Sequence, residues 1–237
     1  MLKKIFPNKI LLISPNFINK LIILMIAVFF LGLIYSLFIS PPDYIQGDSV
    51  RIMYVHVPSS FLALGCFAFL GIASIINIIF KIKFVSLMAK SLAPVGMLFT
   101  IISIVTGSLW GKPTWGIWWV WDARLTSMFV LLCFYLAYIL SWKYISDFRR
   151  ANTTSSIISI IGLFNLPIIK FSVDWWNTLH QTSSITLTSA PKIHITMLIP
   201  LMIMLLGMLI YLSVIFLIKY KTEIMKFKLE KNKNKSS

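Results

Sequence analysis

Residues 21–40 read LIILMIAVFFLGLIYSLFIS, a run of twenty residues without a charged side chain. A helix of this length spans the roughly 30 Å hydrocarbon core of a bilayer, because each residue adds about 1.5 Å to its axis. Comparable apolar runs recur along the chain. They predict six membrane-spanning helices, at residues 18–40, 53–80, 91–110, 125–142, 154–171 and 193–218.

The overall composition also indicates a membrane protein. The chain is 58% hydrophobic and only 12% charged, whereas about a quarter of the residues are charged in a typical soluble domain. Pro58 and Pro94 interrupt two of the runs, which neighbouring helices tolerate inside a membrane. We expect an all-α polytopic membrane protein in which residues 1–218 form one six-span domain and residues 219–237 form a basic, disordered tail. No small-residue cleavage site precedes PPDY at residues 41–44, so the first span is expected to be an uncleaved anchor.

The lysine and arginine residues predict how the spans are oriented. Seventeen of the 22 lie on one side of the predicted spans, and the other side holds only Arg51, Lys112, Arg124, Lys170 and Lys192. Cytoplasmic loops carry an excess of these residues. Both termini are therefore predicted to be cytoplasmic, with three loops facing out. The same bias accounts for the net charge of +15 without a nucleic-acid partner.

Tryptophan is concentrated on the predicted outer side, where seven of the eight residues lie. These are Trp110, Trp115, Trp118, Trp119, Trp121, Trp175 and Trp176, the first five within WGKPTWGIWWVWDAR at residues 110–124. An aromatic belt would account for some of them, but a belt decorates both membrane interfaces. Indole rings also suit a planar ligand, because they offer large areas for offset stacking. Gly111 and Gly116 would let the backbone approach such a ligand closely.

Two histidines flank this loop in the predicted topology. His56 lies in RIMYVHVPSSF at the outer end of the second span, and His180 lies in DWWNTLHQ between the fifth and sixth spans. Neutral imidazole suits iron, copper and zinc, and a hydrogen-bonded interfacial histidine is the alternative for either residue. Zinc would need further protein ligands, and the chain has no HExxH motif. Two imidazoles and an aromatic plate fit a non-covalent haem b better, with its iron between the histidines.

Other polar residues on the same side complete the predicted site. Arg51, Lys112 and Arg124 would face the carboxylates of the ligand. Asp122 would either pair with Arg124 and fix the loop or contact the ligand. His194, which opens the sixth span, is either a spare ligand or a helix-entry residue, and we expect the second. No nucleophile or acid–base pair stands out, which favours binding and transfer over classical enzyme chemistry.

Three segments resemble the CcmC family of haem-handling membrane proteins. WGKPTWGIWWVWDARLTS resembles the tryptophan-rich WWD signature of the bacterial members. PPDYIQGDSVRIMYVHVPSS at residues 41–60 and NLPIIKFSVDWWNTLHQ at residues 165–181 resemble the two histidine-bearing segments of the family. The resemblance covers nearly the whole chain. It departs at TSSITLTSAPK, residues 182–192, which carries little charge.

The resemblance implies a role in system I cytochrome c maturation at the periplasmic face of the bacterial inner membrane. Haem would lie against the tryptophan loop with His56 and His180 as axial ligands, and would pass to a CcmE-like periplasmic haem chaperone. An ABC transporter with CcmA-like and CcmB-like subunits and a single-span CcmD-like subunit would accompany the chain. His194 matches no motif of the family.

Two other functions remain open at this point. A haem b electron-transfer subunit of a membrane oxidoreductase would use similar ligands, although such proteins usually hold haem deep between the spans. A small-molecule permease with an aromatic vestibule would also place tryptophans at one face. Permeases often contain internal repeats, and the sequence shows no convincing repeat.

Overall fold

The computed structural model describes residues 10–181, 190 and 193–236. Apart from an isolated bridge between Asp43 and Gly47, every regular element of these residues is helical. A π-helix, Tyr35–Ile39, continues the first α-helix, and a 3₁₀ helix, Asp48–Ile52, leads into the second. The α-helices are α1 (Pro15–Ile34), α2 (Met53–Phe80), α3 (Lys83–Trp115), α4 (Ala123–Tyr144), α5 (Phe148–Leu163), α6 (Asn165–Trp175) and α7 (Ile195–Ser236).

Within the part of the chain that the structure describes, six helical segments are long and apolar enough to cross a membrane, which confirms the predicted number. They are Pro15–Ile39, Asp48–Phe80, Lys83–Trp115, Ala123–Tyr144, Phe148–Trp175 and Ile195–Glu230. Each contains the core of one predicted run. The chain is therefore an all-α, multi-pass membrane protein.

The connections divide the molecule into two ends. Residues 40–52, 116–122 and 176–181 meet at one end, which we call the tryptophan end. Residues 81–82 and 145–147 and the part of α7 beyond residue 218 meet at the other, which we call the lysine end. The candidate ligands predicted from the sequence all belong to the tryptophan end.

The last helix differs from the sequence-based expectation. Residues beyond 218 were expected to be disordered, but α7 continues without interruption to Ser236. Buried Tyr220 and Ile224 explain the continuation, because they pack with Leu87 of α3 at the lysine end. Glu223 adds an ion pair with Lys90, at 2.6 Å between Oε2 and Nζ. Tertiary packing thus extends a helix whose terminal composition is typical of a solvated tail.

The fifth span consists of two helices rather than one. Helix α5 ends at Leu163 and α6 begins at Asn165. Pro167 explains the break, since it has no N–H to donate to the carbonyl of Leu163 and its ring crowds that position. At the junction, Asn165 Nδ2 donates to the carbonyl of Ser127 in α4, at 2.8 Å. A cross-helix hydrogen bond of this kind satisfies a polar group that lipid cannot.

Helices α2, α3 and α4 form the packed centre of the molecule. The fully buried Tyr135 of α4 donates from its hydroxyl to the carbonyl of Ala63 in α2, at 2.7 Å. It reaches α2 across Gly96 of α3, where even a methyl group would overlap the tyrosine ring. Helix α1 is more peripheral and packs against α7. The centre therefore holds the ends of α2 and α3 rigidly at the tryptophan end.

Candidate functional site at the tryptophan end

His56 lies in the first turn of α2 and its imidazole is held by α3. Its Nδ1 is 3.0 Å from the carbonyl oxygen of Ser103 and 3.1 Å from Oγ1 of Thr106. The Thr106 hydroxyl donates its own hydrogen to the carbonyl of Ile102, at 2.6 Å. Both neighbours of Nδ1 are therefore acceptors, so Nδ1 carries the ring hydrogen. Nε2 of the neutral ring keeps its lone pair free for a ligand.

A glycine and a tryptophan of α3 complete the surroundings of His56. A Cβ atom at Gly107 would lie 3.0 Å from Cε1 of the imidazole, so only glycine leaves the ring undisturbed. The Trp110 ring meets the imidazole edge-on, with centroids 5.7 Å apart. Such an edge-to-face contact is favourable for aromatic rings. Backbone and side-chain atoms of α3 thus fix the position, orientation and tautomer of His56.

Gln46 is a member of this site that was not predicted from the sequence. Its Oε1 accepts a hydrogen bond from Nε1 of Trp110 at 2.7 Å. The loop that carries it is folded by Asp43, whose Oδ1 accepts from the backbone N–H groups of Ile45 and Gln46. Trp110 is therefore held between the loop before α2 and the histidine on α2. No local sequence signal marks Gln46, because its partner lies 64 positions away.

His180 is held by a carboxylate on one side and an indole on the other. Its Nδ1 is 3.3 Å from Oδ2 of Asp122, and the Trp115 ring lies edge-on with centroids 4.7 Å apart. A carboxylate only accepts, so Nδ1 carries the hydrogen and Nε2 is again the free nitrogen. Burial is the main cause that lowers the pKa of His180 below its usual 6.5, and Asp122 partly offsets it. The ring is therefore neutral at pH 7.

Asp122 has a structural role in addition to its contact with His180. It is the N-cap of α4, and its Oδ1 accepts from the backbone N–H of Leu125 at 2.8 Å. Its side chain is only 6% exposed. Arg124 is close enough to interact electrostatically with both Asp122 and Asp174. The expected loop-fixing role of Asp122 is compatible with this geometry, and the carboxylate orients His180 as well.

The three candidate cations differ in how firmly other groups of the protein hold their side chains. Arg51 donates from Nη1 to the carbonyls of Ser36 and Ser40 at the end of the π-helix, at 2.7 and 3.0 Å, and from Nε to Asp48 at 3.0 Å. These bonds tie the guanidinium to the loop before α2. Lys112 donates to the carbonyl of Gly116 and is exposed. Lys112 is therefore more available to a carboxylate ligand than Arg51, whereas Arg124 lies close to Asp122 and Asp174.

The tryptophans do not form a single loop. Trp110 and Trp115 belong to the last two turns of α3, which runs through Pro113 and ends at Trp115. Its C-cap, Gly116, has a left-handed conformation with φ of 79°. Trp118 and Trp121 lie in the connection to α4 and are 54% and 73% exposed. Trp119 packs against Trp121, with centroids 5.5 Å apart. Trp175 and Trp176 end α6, half-exposed and in edge contact with each other.

Two buried donors at the tryptophan end lack partners. Among the residues that the structure describes, neither Nε1 of Trp119 nor Oγ1 of Thr178 makes a hydrogen bond. A buried polar group without a partner is costly and marks a place where a ligand or water would bind. Thr178 is two residues from His180, so one of these donors lies beside a candidate ligand.

His56 and His180 come from different segments but lie close enough to interact electrostatically. A positive charge on one imidazole ring would disfavour a positive charge on the other, and Arg124 interacts electrostatically with both rings. Their ring partners Trp110 and Trp115 are five residues apart on α3, about 7.5 Å along its axis. The last two turns of α3 therefore contact both imidazoles, each through a different tryptophan.

His194 is not part of this site. It is exposed, its Nδ1 contacts the hydroxyl of Thr196 at 2.8 Å, and its carbonyl accepts from Met197 and Leu198. These are the contacts of a residue at the start of a helix, as its place in the sequence predicts. Residues 182–189, 191 and 192, which contain most of the weakly charged segment TSSITLTSAPK, lie outside the described part of the chain.

Comparisons with known proteins identify relatives along almost the whole chain. A family model described as heme exporter protein C, CcmC, matches residues 2–235. The heme exporter protein C of Escherichia coli K12 is 45% identical over 178 residues, covering 75% of this chain and 73% of that protein. The protein of the same name from Haemophilus influenzae is 43% identical over 195 residues, covering 82% and 79%. That of Bradyrhizobium diazoefficiens is 36% identical over 220 residues, covering 93% and 83%.

Proposed function

Because this chain belongs to the CcmC family of heme exporter proteins, we propose that it binds haem at the tryptophan end and delivers it for the maturation of c-type cytochromes. His56 and His180 serve as axial ligands of a non-covalently bound haem b. Haem is the cargo of the protein rather than a resident cofactor. The tryptophan end faces the periplasm, and both termini lie on the cytoplasmic side of the inner membrane, in agreement with the lysine and arginine distribution.

The observation that carries the proposal is the state of the two imidazole rings. Each holds its hydrogen on Nδ1 through an acceptor: a main-chain carbonyl for His56 and a carboxylate for His180. This is the usual arrangement of metal-binding histidines, in which the second nitrogen is oriented by an outer hydrogen bond. Each Nε2 therefore has a lone pair available for iron. Two histidines in this state within one aromatic site favour a haem ligand pair over ordinary interfacial histidines.

The rest of the tryptophan end supplies a platform and edge contacts. Trp110 and Trp115 already contact the two imidazoles, and Trp118, Trp119 and Trp121 extend the aromatic surface beside them. Arg124 and Lys112 are placed to meet propionate groups, while Arg51 contributes through the loop it fixes. The exposed indoles leave one porphyrin edge accessible, as a carrier requires. A resident electron-transfer haem would instead be enclosed between helices.

Transfer requires a partner that approaches the tryptophan end from the periplasm. We propose a CcmE-like haem chaperone, which takes the exposed porphyrin edge and displaces the histidines in turn. CcmA-like and CcmB-like subunits of an ABC transporter and a single-span CcmD-like subunit complete the assembly. Binding and hand-over need no nucleophile, so the protein acts as a haem-binding and transfer protein rather than a classical enzyme.

The absorption spectrum of the purified protein tests the ligand assignment. We expect a low-spin bis-histidine haem spectrum in the wild type, expressed with its pathway partners. His56→Ala and His180→Ala should each lose or alter that spectrum, because one axial ligand is removed. His194→Ala is the matched control and should leave it intact. A spectrum that is insensitive to His56 and His180 would overturn the assignment and would favour a protein-docking role for the tryptophan end.

A further inference from the structure

A second site lies at the lysine end, far from the haem ligands in the fold. A cavity of about 200 Å³ opens between α3, α4 and α7. Its polar lining includes Lys90 from α3, Trp142 and Lys143 from α4, and Lys219 and Glu223 from α7. Three different spans therefore converge on one small basic cavity.

The charges of this cavity do not cancel. Glu223 is engaged by Lys90, at 2.6 Å, and more distantly by Lys226, at 3.7 Å. The Lys90 ammonium also lies over the Trp142 ring, 4.9 Å from its centroid. Lys143 and Lys219 remain, and within residues 10–181, 190 and 193–236 neither forms an ion pair. The lining thus carries a net charge of about +2. Lys90 is fixed by Glu223, the Lys143 ammonium lies over the Tyr144 ring at 5.5 Å from its centroid, and neither Lys143 nor Lys219 has a carboxylate partner among the described residues.

Another part of the cavity wall is apolar. Pro94 of α3 and Ile139 of α4 lie one turn deeper into the bundle than Lys90 and Lys143. Helix α4 ends at Tyr144, so the lysines stand where the span emerges from the membrane. A ligand with an anionic head and an apolar continuation would satisfy both parts of the wall. Basic pockets between membrane helices are a recognised way to bind anionic lipid head groups.

We infer that this cavity binds the head group of an anionic phospholipid, with its phosphate between Lys143 and Lys219 and its first acyl carbons against Pro94 and Ile139. The size of the cavity supports this choice of occupant. A pocket for a drug-sized ligand is typically about 300–1,000 Å³, so 200 Å³ accommodates a phosphate and glycerol but not a porphyrin. The lipid would join α3, α4 and α7 at the lysine end.

Native mass spectrometry of the detergent-purified protein tests this site. Phosphatidylglycerol should form a one-to-one adduct, and phosphatidylcholine, which has the same phosphate but no net charge, should bind far more weakly. Each basic residue near a membrane surface is worth about fivefold in affinity, so Lys143→Gln with Lys219→Gln should weaken phosphatidylglycerol binding roughly 25-fold. Lys20→Gln, at the same end on α1 but outside the cavity, should bind like the wild type.

Three results would overturn the inference. Equal adducts with phosphatidylcholine, or an unchanged affinity in the double variant, would remove the role of the lysines. Displacement of the lipid by millimolar inorganic phosphate would indicate a site for a free anion instead. The haem spectrum serves as the folding control, because neither lysine belongs to the tryptophan end. If the double variant loses that spectrum, the single variants Lys143→Gln and Lys219→Gln carry the test, each with an expected loss of about fivefold.

Discussion

At the scale of single residues, Asp122 decides which nitrogen of His180 is free. Its carboxylate caps α4 with one oxygen and faces Nδ1 of His180 with the other. An asparagine would retain the helix cap, because it is among the best N-cap residues. Its amide N–H₂, however, would donate toward Nδ1 and favour the tautomer that has its hydrogen on Nε2. The effect of Asp122 on the tautomer of His180 can therefore be tested without removing the cap of α4.

We predict that Asp122→Asn loses the bis-histidine haem spectrum while the protein remains folded. Raising the pH should not restore it. The pKa of His180 is already below 6.5 because of burial, and removal of the Asp122 charge lowers it further, so the ring is neutral throughout the range from pH 7 to 8.5. Absorption spectra over that range measure the outcome. Recovery at high pH would mean that His180 was charged at pH 7, which contradicts a neutral ring.

Asp147→Asn is the matched control for this variant. Asp147 is the N-cap of α5, and its Oδ1 accepts from the backbone N–H of Arg150 at 2.7 Å. It lies at the lysine end and away from both candidate ligands. The same chemical change should therefore leave the haem spectrum as it is. An equal loss in both variants would show that helix capping, not the tautomer of His180, is responsible.

At the scale of elements, the loop before α2 positions the site without providing a ligand. Arg51 binds the carbonyls that end the π-helix, Asp43 folds the turn, and Gln46 holds the Trp110 indole. Trp110 in turn packs against His56. A residue of the loop before α2 can thus act on His56 through one intermediate ring.

We predict that Gln46→Leu weakens haem binding without abolishing it. The half-buried Nε1 of Trp110 would lose its acceptor, at a cost of about 1–3 kcal/mol that the indole can reduce by turning away from His56. If about 1–2 kcal/mol of this cost is lost from haem binding, the affinity should fall by roughly 5- to 30-fold, because 1.4 kcal/mol corresponds to tenfold. A haem titration followed by absorption measures this change.

Two substitutions in the same loop distinguish the loss of the Trp110–Gln46 hydrogen bond from general damage to the loop. Gln46→Glu keeps an acceptor for the indole and should bind haem nearly as well as the wild type. Tyr44→Ala alters a side chain that is 97% exposed and should have no effect. Equal losses in Gln46→Leu and Tyr44→Ala would contradict the proposed role of Gln46.

The elements also show what the sequence could and could not predict. Six spans were predicted correctly, because an apolar run of about twenty residues has the length that a bilayer requires. The predicted C-terminal ends of α3 and α7 lie too early in the sequence. The apolar runs end where the helices leave the membrane, whereas both helices continue beyond it through further contacts. His56, His180 and Asp122 were predicted from their residue types and neighbours, and their roles toward haem stay a prediction. Gln46, Ser103, Thr106 and Gly107 were missed, because their roles depend on helix pairs that no local pattern reveals.

At the scale of the whole molecule, the two ends have different chemistry. The tryptophan end holds the two oriented histidines and most of the indoles, and the lysine end holds the basic cavity and the continuation of α7. With 42 residues, α7 is about 63 Å long, roughly twice the hydrocarbon thickness of a bilayer. Its second half therefore extends beyond the membrane at the lysine end. The proposed function requires this half to be cytoplasmic and the tryptophan end periplasmic.

We predict that a membrane-impermeant maleimide will label the two ends from opposite sides. The test uses a Cys66→Ser, Cys133→Ser background with a single new thiol, either Tyr44→Cys at the tryptophan end or Leu229→Cys on α7. Both positions are well exposed, at 97% and 65%, so access depends on the side of the membrane and not on burial. In spheroplasts Tyr44→Cys should react at once, and Leu229→Cys only after permeabilisation. The reverse pattern would put the histidines in the cytoplasm and exclude hand-over to a periplasmic chaperone, whatever the haem spectrum shows.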